Sequence, residues 1–192
     1  MTAVPPRVER FVDLSPDELR ACLPEALSLY VTAMRYPSGT AEQRAPMWLA
    51  HMLRAEWRCV GAFNADHRMV GVAYGYRGAA GQWWHEQVRR GIIEQSGAEL
   101  ADRWLEDYFE LTEVHVSPAS QGRGIGEELL RRLLGGVRAS KVLLSTPEGP
   151  TRAWRLYYRL GFTDVLRHYR FTGDPRPFGV LGRVLPVPPP RN

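Results

Sequence analysis

The stretch that most constrains the fold runs from residue 109 to residue 134 and reads FELTEVHVSPASQGRGIGEELLRRLL. Strand-forming residues continue up to Val116, and Pro118 ends the strand because proline cannot donate to a ladder. After a glycine-rich turn, apolar residues recur at the spacing of an amphipathic helix: Ile125, Leu129, Leu130, Leu133, Leu134 and Val137. The stretch therefore predicts a strand, a tight turn and a helix with one buried face.

The turn that opens this helix is suited to binding an anion. The first backbone N–H groups of a helix have no partner within the helix, and the positive end of the helix dipole lies there. Glycines allow a ligand to approach these groups closely. We therefore expect a phosphate site at this turn, whose residues are Gln121, Gly122, Arg123, Gly124, Ile125 and Gly126.

The pattern Gln121-x-x-Gly124-x-Gly126 resembles the acyl-CoA pyrophosphate loop of the GNAT superfamily of N-acetyltransferases. One glycine motif alone would be a weak signal, because many turns carry Gly-x-Gly. A second motif supports the resemblance, since the end of a predicted helix is similar to the Ala-x-x-Leu-Tyr-x-x-x-Gly-Phe block of that superfamily. Its residues are Ala153, Leu156, Tyr157, Gly161 and Phe162.

The two motifs stand in the family order, with a predicted strand at 142–145 between them, and the close match covers about residues 109–165. The resemblance implies a single-domain α/β fold with a mixed, mostly antiparallel central sheet flanked by helices. In that fold a splayed strand pair forms the CoA cleft. We expect one N-acetyltransferase domain over residues 1–185, with a helical insertion at about 82–107, and a proline-rich tail over 186–192.

Other local signals outline the remaining elements. A strand is predicted at 7–14, and Ser15 caps a helix that runs to Met34 with a kink at Pro24. A second helix is predicted through Trp48 to Leu53. The apolar runs 57–64 and 69–76 form a hairpin, and 162–171 and 178–185 form a final strand pair. The aromatic segment 82–108 reads as helical with a break near Gly97, serving either as a lid or partner surface or as a helical hairpin packed on the sheet.

The resemblance implies transfer of an acetyl group from acetyl-CoA, without a metal, to a primary amine of a small molecule, peptide or protein. The amine attacks the thioester directly. The alternative is a non-catalytic acyl-CoA-binding regulatory module of the same fold. A nucleotide-phosphate site of another α/β class is disfavoured because no Gly-Lys-Ser/Thr follows the turn.

The resemblance also assigns cofactor-binding residues. The turn amides would hold the pyrophosphate, and the backbone at the strand end would pair with the pantetheine arm and place one N–H near the thioester oxygen. Pro150 departs from the family pattern, which often has Asn at that position, and it offers no side-chain contact to the pantetheine arm; Thr151 and Ser145 are candidate substitutes. The expected cofactor-binding set is Val114, His115, Val116, Gln121, Gly122, Arg123, Gly124, Ile125, Gly126 and Tyr157.

Four residues are candidates for proton transfer. Tyr157 occupies the family position that protonates the departing thiolate, and phenols, with an ordinary pKa near 10, can match a thiol. The candidate bases, in order of preference, are Glu113, His115 and Glu110. Glu113 and His115 share one face of the strand, and Glu110 lies on the other. A water chain in place of a side-chain base stays open.

The sequence does not identify the amine that accepts the acetyl group. Carboxylates at Glu113, Glu110, Glu86 and Asp107 favour a cationic amine, whereas the aromatic segment favours a larger apolar one. The resemblance implies that the predicted helix pair near the N-terminus covers the acceptor pocket. The candidate pocket residues at the end of the first helix are Met34, Arg35 and Tyr36, and those on the predicted hairpin are Tyr74 and Tyr76.

The net charge and the composition limit the kinds of partner that the protein can bind. The net charge of +4 and pI of about 9.3 suit a polyanionic cofactor. We expect no nucleic acid, because no lysine or arginine run appears, and no membrane, because no apolar run approaches bilayer length. The start MTAVPPRVER lacks a signal-peptide core, which predicts a cytoplasmic protein. Cys22 and Cys59 lack the spacing of metal ligands. Since dimers are common in the resembling family, a homodimer stays an open alternative to a monomer.

Overall fold

The computed structural model describes residues 8–37 and 39–187. Its seven strands follow the order β1-β2-β3-β4-β5-β7-β6. The pairs β1–β2, β2–β3, β5–β7 and β6–β7 are antiparallel, and β4–β5 is parallel over residues 108–110. The mixed, mostly antiparallel sheet flanked by helices is therefore confirmed. The strands are β1 Val8–Leu14, β2 Arg58–Asn64, β3 Met69–Arg77, β4 Tyr108–Val116, β5 Lys141–Pro147, β6 Thr163–Tyr169 and β7 Phe178–Val184.

The helices lie between these strands in the predicted order. They are α1 Pro16–Ala21, α2 Leu23–Met34, α3 Thr40–His51, α4 Trp83–Ser96, α5 Ala98–Leu105, α6 Ile125–Gly135 and α7 Arg152–Arg159, with a 3₁₀ turn at Pro118–Ser120. Across the described ranges 8–37 and 39–187, no helix is long and apolar enough to cross a membrane. The chain divides into two compact units, which we call the first unit (described residues up to Tyr76, with Thr112–Gly136) and the second unit (Arg77–Leu111, with the described residues from Val137).

In the first unit, helices α1, α2 and α3 pack on one face of the strands. Leu19, Tyr30 and Trp48 from these helices are almost fully buried against Val72 and Tyr74 of β3. Side chains two residues apart on a strand point to the same face, which explains why Val72 and Tyr74 face these helices together. This face is the apolar core of the first unit.

Helix α6 packs on the opposite face of these strands. A Cβ added at Gly71 would lie 3.0 Å from Leu129 and 3.3 Å from Ile125, so the glycine allows close approach of the helix. The predicted apolar stripe is confirmed, with Ile125, Leu129, Leu130, Leu133 and Leu134 buried. The helix ends at Gly135, so Val137 lies beyond it. The fold therefore holds the glycine turn rigidly at the start of a well-packed helix.

The first predicted helix is correct at its start and divided in its interior. Ser15 forms a capping box with Glu18, as its sequence indicates. The chain leaves helical geometry at Cys22 (φ −109°, ψ 16°), two residues before Pro24, and α2 begins at Leu23. Proline removes a backbone donor and restricts the preceding residue, so the break falls just ahead of it.

In the second unit, helices α4 and α5 pack on the sheet. Val88, Ile92 and Leu105 are buried against Leu143 of β5 and Val180 of β7. The helices meet at Gly97, whose φ of +92° suits glycine, and this is the predicted break. Of the two alternatives for this segment, the structure shows the helical hairpin packed on the sheet.

Helix α7 begins directly after its capping residue. Pro150 lies outside the helix, whose first residue is Arg152; Thr151 is the N-cap and accepts a hydrogen bond from the Trp154 N–H. The final strand pair is confirmed, with β6 antiparallel to β7. Arg7 at the start of the first predicted strand and residues 188–192 of the predicted tail lie outside the described residues.

Candidate active site

The glycine turn has the geometry that its sequence predicts. Gly122 and Gly124 have φ values of +80° and +79°, a region that side chains rarely adopt. The Gln121 side-chain amide donates to the Val116 carbonyl at 3.1 Å, which ties the turn back to the end of β4. Because a Cβ added at Gly124 would meet nothing within 4 Å, space beside the turn is open.

The amides at the start of α6 are available to a ligand. Gly124 is the N-cap, and within the described ranges no side chain caps this helix. Glu127 and Glu128, in the first turn, form ion pairs one turn on with Arg131 (2.8 Å) and Arg132 (2.6 Å). Their carboxylates are therefore engaged along the helix, and the first amides keep the positive end of the dipole.

A cavity of about 600 Å³ adjoins this turn. It is lined by Val8, Phe11, Arg123, Gly124, Ile125 and Glu128. Arg123 is exposed and adds a positive charge beside the amides. Uncapped amides, a nearby guanidinium and open space fit a pyrophosphate group, so the residues present agree with the cofactor that the sequence implies.

Two of the candidate bases lie together on β4. The Glu113 carboxylate and His115 Nε2 are 2.5 Å apart, and their side chains are only 14% and 7% exposed. Alternate strand residues share a face, which brings the two groups side by side as predicted. A short hydrogen bond between a carboxylate and an imidazole that water barely reaches makes a compact proton-accepting pair.

Aromatic rings from two helices, the connection after α2 and one strand form a cluster that contacts this pair through Tyr30. We call Tyr30, Tyr36, Trp48, His51, Tyr74 and Tyr76 the aromatic cluster. The Tyr30 ring lies 4.9 Å from the His115 ring, edge to face. Burial, with the Glu113 carboxylate as the next cause, raises the pKa of the Tyr30 phenol well above its ordinary value. The cluster therefore packs against the His115 side of the pair.

His51 occupies the other side of the cluster. Its Nδ1 lies 2.9 Å from the Tyr74 hydroxyl, and its ring centroid is 5.0 Å from that of Tyr76. Burial lowers the pKa of His51 to about 4, against the opposing pull of Glu113. The imidazole is therefore neutral near pH 7 and presents a polar but uncharged wall.

The lowered pKa of His51 predicts a pH-dependent stability. The unfolded chain binds a proton at His51 below about pH 6.5, whereas the folded chain does so only near pH 4. The contribution of the buried, neutral His51 to the free energy of unfolding is complete above the unfolded-state pKa, and it is lost as the pH falls from about 6.5 to about 4. We expect the free-energy advantage of the wild type over His51→Gln in urea unfolding to shrink by about 2 to 3 kcal/mol between pH 7 and pH 4. An advantage that stays constant over this range would contradict the buried, neutral state of His51.

Tyr157 and Glu110 belong to the second unit. Tyr157 is buried on α7, with its ring centroid 5.5 Å from that of Phe162. Tyr158 is 45% exposed and donates to Asp164 at 2.7 Å, so the two adjacent tyrosines differ in setting. Glu110 is buried and stands opposite Leu143 in the β4–β5 register. The roles of Tyr157 and Glu110 stay predictions.

The other carboxylates considered for the acceptor have local partners. Asp107 forms an ion pair with Arg77 at 2.7 Å and accepts from the Ser140 N–H, and the second contact is the main cause of its lowered pKa. Glu86 accepts from the Gly81 N–H at 2.8 Å. Ser145, a candidate substitute for the missing Asn, accepts a hydrogen bond from the Trp84 indole at 3.0 Å.

Sequence reasoning did not find Tyr30, Trp48 and His51 as site residues. Each falls on an apolar helix face, where an aromatic residue is most simply core. The sequence signal that was available is their chemistry, since a histidine and a tyrosine on core faces imply hydrogen-bond partners. Within residues 8–37 and 39–187, the structure contains no group of three or more His, Cys, Asp or Glu residues that could hold a metal ion.

Comparison with known proteins defines the class. Residues 66–164 match a family model described as an acetyltransferase (GNAT) domain. The chain belongs to the GNAT family of acetyltransferases, a family that uses acetyl-CoA.

A GCN5-like protein acetyltransferase of Mycobacterium tuberculosis is 48% identical over 201 residues, covering 92% of this chain and 98% of the relative. Among solved structures, a ribosomal-protein-alanine N-acetyltransferase from Brucella melitensis is 18% identical with a TM-score of 0.61, covering 92% and 100% of the two chains. The Salmonella typhimurium protein yncA, solved with its cofactor acetyl-CoA, is 16% identical with a TM-score of 0.62, covering 96% and 99%. At these identities the two structures support the fold.

Proposed function

We propose that this protein transfers the acetyl group of acetyl-CoA to a primary amine of a protein substrate by direct attack on the thioester. The observation that carries the proposal is the buried Glu113–His115 pair, 2.5 Å apart, on the strand that leads into the uncapped glycine turn. A base and an anion site on one continuous segment are what amine acetylation requires.

The chain supplies binding and proton transfer in this proposal. Backbone amides from Arg123 to Gly126 hold the pyrophosphate, and the backbone of 114–116 pairs with the pantetheine arm. Acetyl-CoA, when bound, supplies a thioester whose carbonyl carbon forms a bond to the amine nitrogen as its bond to sulfur breaks. Glu113, supported by His115, removes a proton from the substrate ammonium so that its nitrogen can attack. Tyr157 gives a proton to the departing thiolate.

The relative at 48% identity is named a protein acetyltransferase. This name supports a catalytic role rather than that of a non-catalytic binding module, and it supports a protein rather than a small molecule as the acetyl acceptor. A single N-acetyltransferase domain over 1–185 remains part of the proposal. The proposal also places the protein in the cytoplasm and keeps a homodimer as an alternative to the monomer.

Glu113→Gln tests the assignment of the base. The substitution keeps the size of the side chain and removes its proton affinity, so we expect kcat/KM for a lysine-containing peptide to fall by about 100-fold at pH 7. The measurement is thiol release from acetyl-CoA, with mass spectrometry of the peptide to place the acetyl group on nitrogen.

Glu110→Gln is the matched comparison, since Glu110 is the rival base on the same strand. Its variant should keep most of the activity once both proteins are shown to melt like the wild type. Loss in Glu110→Gln with activity retained in Glu113→Gln would reverse the assignment. No acetylation of any amine by the wild type, despite acetyl-CoA binding, would leave only a binding module.

A further inference from the structure

We infer that Trp154 is a positioning residue for Tyr157, and that Arg167 and Glu148 hold its indole in place. The inference rests on the proposed function and deepens it, because it explains how the phenol that protonates the departing thiolate is kept at one position. All four residues belong to the second unit.

Helix α7 is short, so a few contacts fix its position. Its eight residues make about two turns, and Trp154 and Tyr157 are buried. Residues three apart lie on the same side of a helix, so a shift of Trp154 moves Tyr157 with it. The contacts that hold Trp154 therefore also hold Tyr157.

The Trp154 indole packs on the end of the β5–β7 pair. Its N–H donates to the carbonyl of Pro147, the last residue of β5, at 2.8 Å. Gly179 on β7 leaves the space that the ring occupies, because a Cβ at that position would overlap the indole. A satisfied N–H donor and a ring fitted against bare backbone give this side chain a defined orientation.

Arg167 covers the indole from β6. Its guanidinium carbon lies 4.8 Å from the ring centroid, which is within the range of a cation–π contact. The same guanidinium forms ion pairs with Glu148 at 2.8 Å and with Asp164 at 2.9 Å, and these fix it over the ring. The Tyr158 hydroxyl binds the other oxygen of Asp164, so its removal leaves the contacts of Arg167 in place.

Glu148 links these contacts to the connection that leads into α7. It directly follows β5, and its N–H donates to the Pro177 carbonyl at 2.9 Å. Its carboxylate also accepts from the His168 N–H on β6 at 2.8 Å. The side chain is only 11% exposed, so salt screens its attraction to Arg167 weakly. The connection before α7 is therefore fastened to β6.

These contacts matter because proton transfer depends on distance. A hydroxyl that protonates a departing thiolate must stay within hydrogen-bond reach of the sulfur. A displacement on the order of 1 Å, caused far from the chemistry, can lower a rate by about 100-fold. Contacts that hold the first turn of α7 therefore act on the rate through the Tyr157 hydroxyl.

The test uses the purified full-length protein, acetyl-CoA and one lysine-containing peptide. Arg167→Gln removes the cation over the ring and both ion pairs, and Trp154→Phe removes the indole N–H but keeps an aromatic ring. For each variant we expect the single-turnover rate to fall about tenfold, with the Kd for acetyl-CoA within about twofold of the wild type. Arg167→Lys should recover part of the rate, because an ammonium can still lie over the ring and pair with one carboxylate.

The decisive measurement repeats Arg167→Gln and Trp154→Phe in a Tyr157→Phe background. A positioning residue acts through the phenol hydroxyl, so without that hydroxyl each substitution should change the rate by less than about twofold. A purely structural contribution would lower the rate by the same factor in both backgrounds.

Arg176→Gln is the matched control. Arg176 also pairs with an aspartate, Asp174 at 2.6 Å, and lies over an aromatic ring, Phe178 at 5.4 Å, but it belongs to the connection before β7. Its variant should turn over like the wild type. All rates are measured at a temperature at which the variants are folded, and if Trp154→Phe melts below it, Arg167→Gln and Arg167→Lys carry the test.

Four results would each overturn the inference while leaving amine acetylation intact. These are unchanged rates in Arg167→Gln and Trp154→Phe, equal losses with and without the Tyr157 hydroxyl, a weaker Kd for acetyl-CoA that accounts for the lower rate, and an equal loss in Arg176→Gln. A wild-type rate in Tyr157→Phe alone would remove the proton donor from the proposed function, and this inference with it. No turnover with any amine would overturn the proposed function itself.

Discussion

Gly124→Glu should weaken the binding of acetyl-CoA by at least about 100-fold, equivalent to about 2.7 kcal/mol. The new carboxylate would stand at the N-cap of α6, where the first amides and Arg123 otherwise favour an anion. Its charge would repel the pyrophosphate, and its side chain would occupy the open space beside the turn. A φ of +79° adds backbone strain, since residues with a Cβ rarely adopt it.

Isothermal titration with acetyl-CoA measures the effect, and Gly97→Glu is its matched control. Gly97 is also a glycine N-cap with positive φ (+92°) and open space around its Cα, at the start of α5 in the second unit. With a ψ of 166°, Gly97 lies in a region that is even less open to side chains than that of Gly124, so the control adds the same charge with at least as much backbone strain. It does not touch the glycine turn and should therefore bind like the wild type. Equal loss in both variants would point to general destabilisation, and undiminished binding by Gly124→Glu would remove the turn from the cofactor site.

Tyr157→Phe should lower kcat by about 100-fold while leaving acetyl-CoA affinity nearly unchanged. The substitution removes one hydroxyl and keeps the ring that packs against Phe162 at 5.5 Å. If the hydroxyl protonates the departing thiolate, its loss acts on the chemical step and spares binding. Single-turnover kinetics with a lysine peptide, together with titration of acetyl-CoA, separates the two quantities.

Tyr158→Phe is the control for this substitution, because the next residue on α7 loses the same atom. Its hydroxyl donates to Asp164, so the variant should lose some stability and keep its turnover. An unchanged kcat in Tyr157→Phe would assign Tyr157 to core packing alone. A weaker affinity for acetyl-CoA at an unchanged chemical rate would instead make its hydroxyl a cofactor-binding group.

Local signals predicted the elements that depend on neighbouring residues. The capping box at Ser15 and Glu18 forms as expected, because both groups lie within one helical turn. The apolar stripe of α6 and the positive φ of Gly122 and Gly124 are likewise consequences of local spacing and of the missing Cβ. The cap of α7 is equally local, because the Thr151 hydroxyl accepts a hydrogen bond from the Trp154 N–H within one turn.

The strand–turn–helix from residue 109 to residue 134 was determined by the sequence itself, together with the pairing of Glu113 and His115 on one strand face. These features follow from backbone sterics, from the two-residue period of a strand and from the 3.6-residue period of a helix. Only the tertiary structure decided which distant groups lie beside the Glu113–His115 pair. The Tyr30 ring reaches His115 from α2, and no short-range pattern encodes the packing that brings this helix onto the strands. That packing places a residue that looks like ordinary core next to the candidate base.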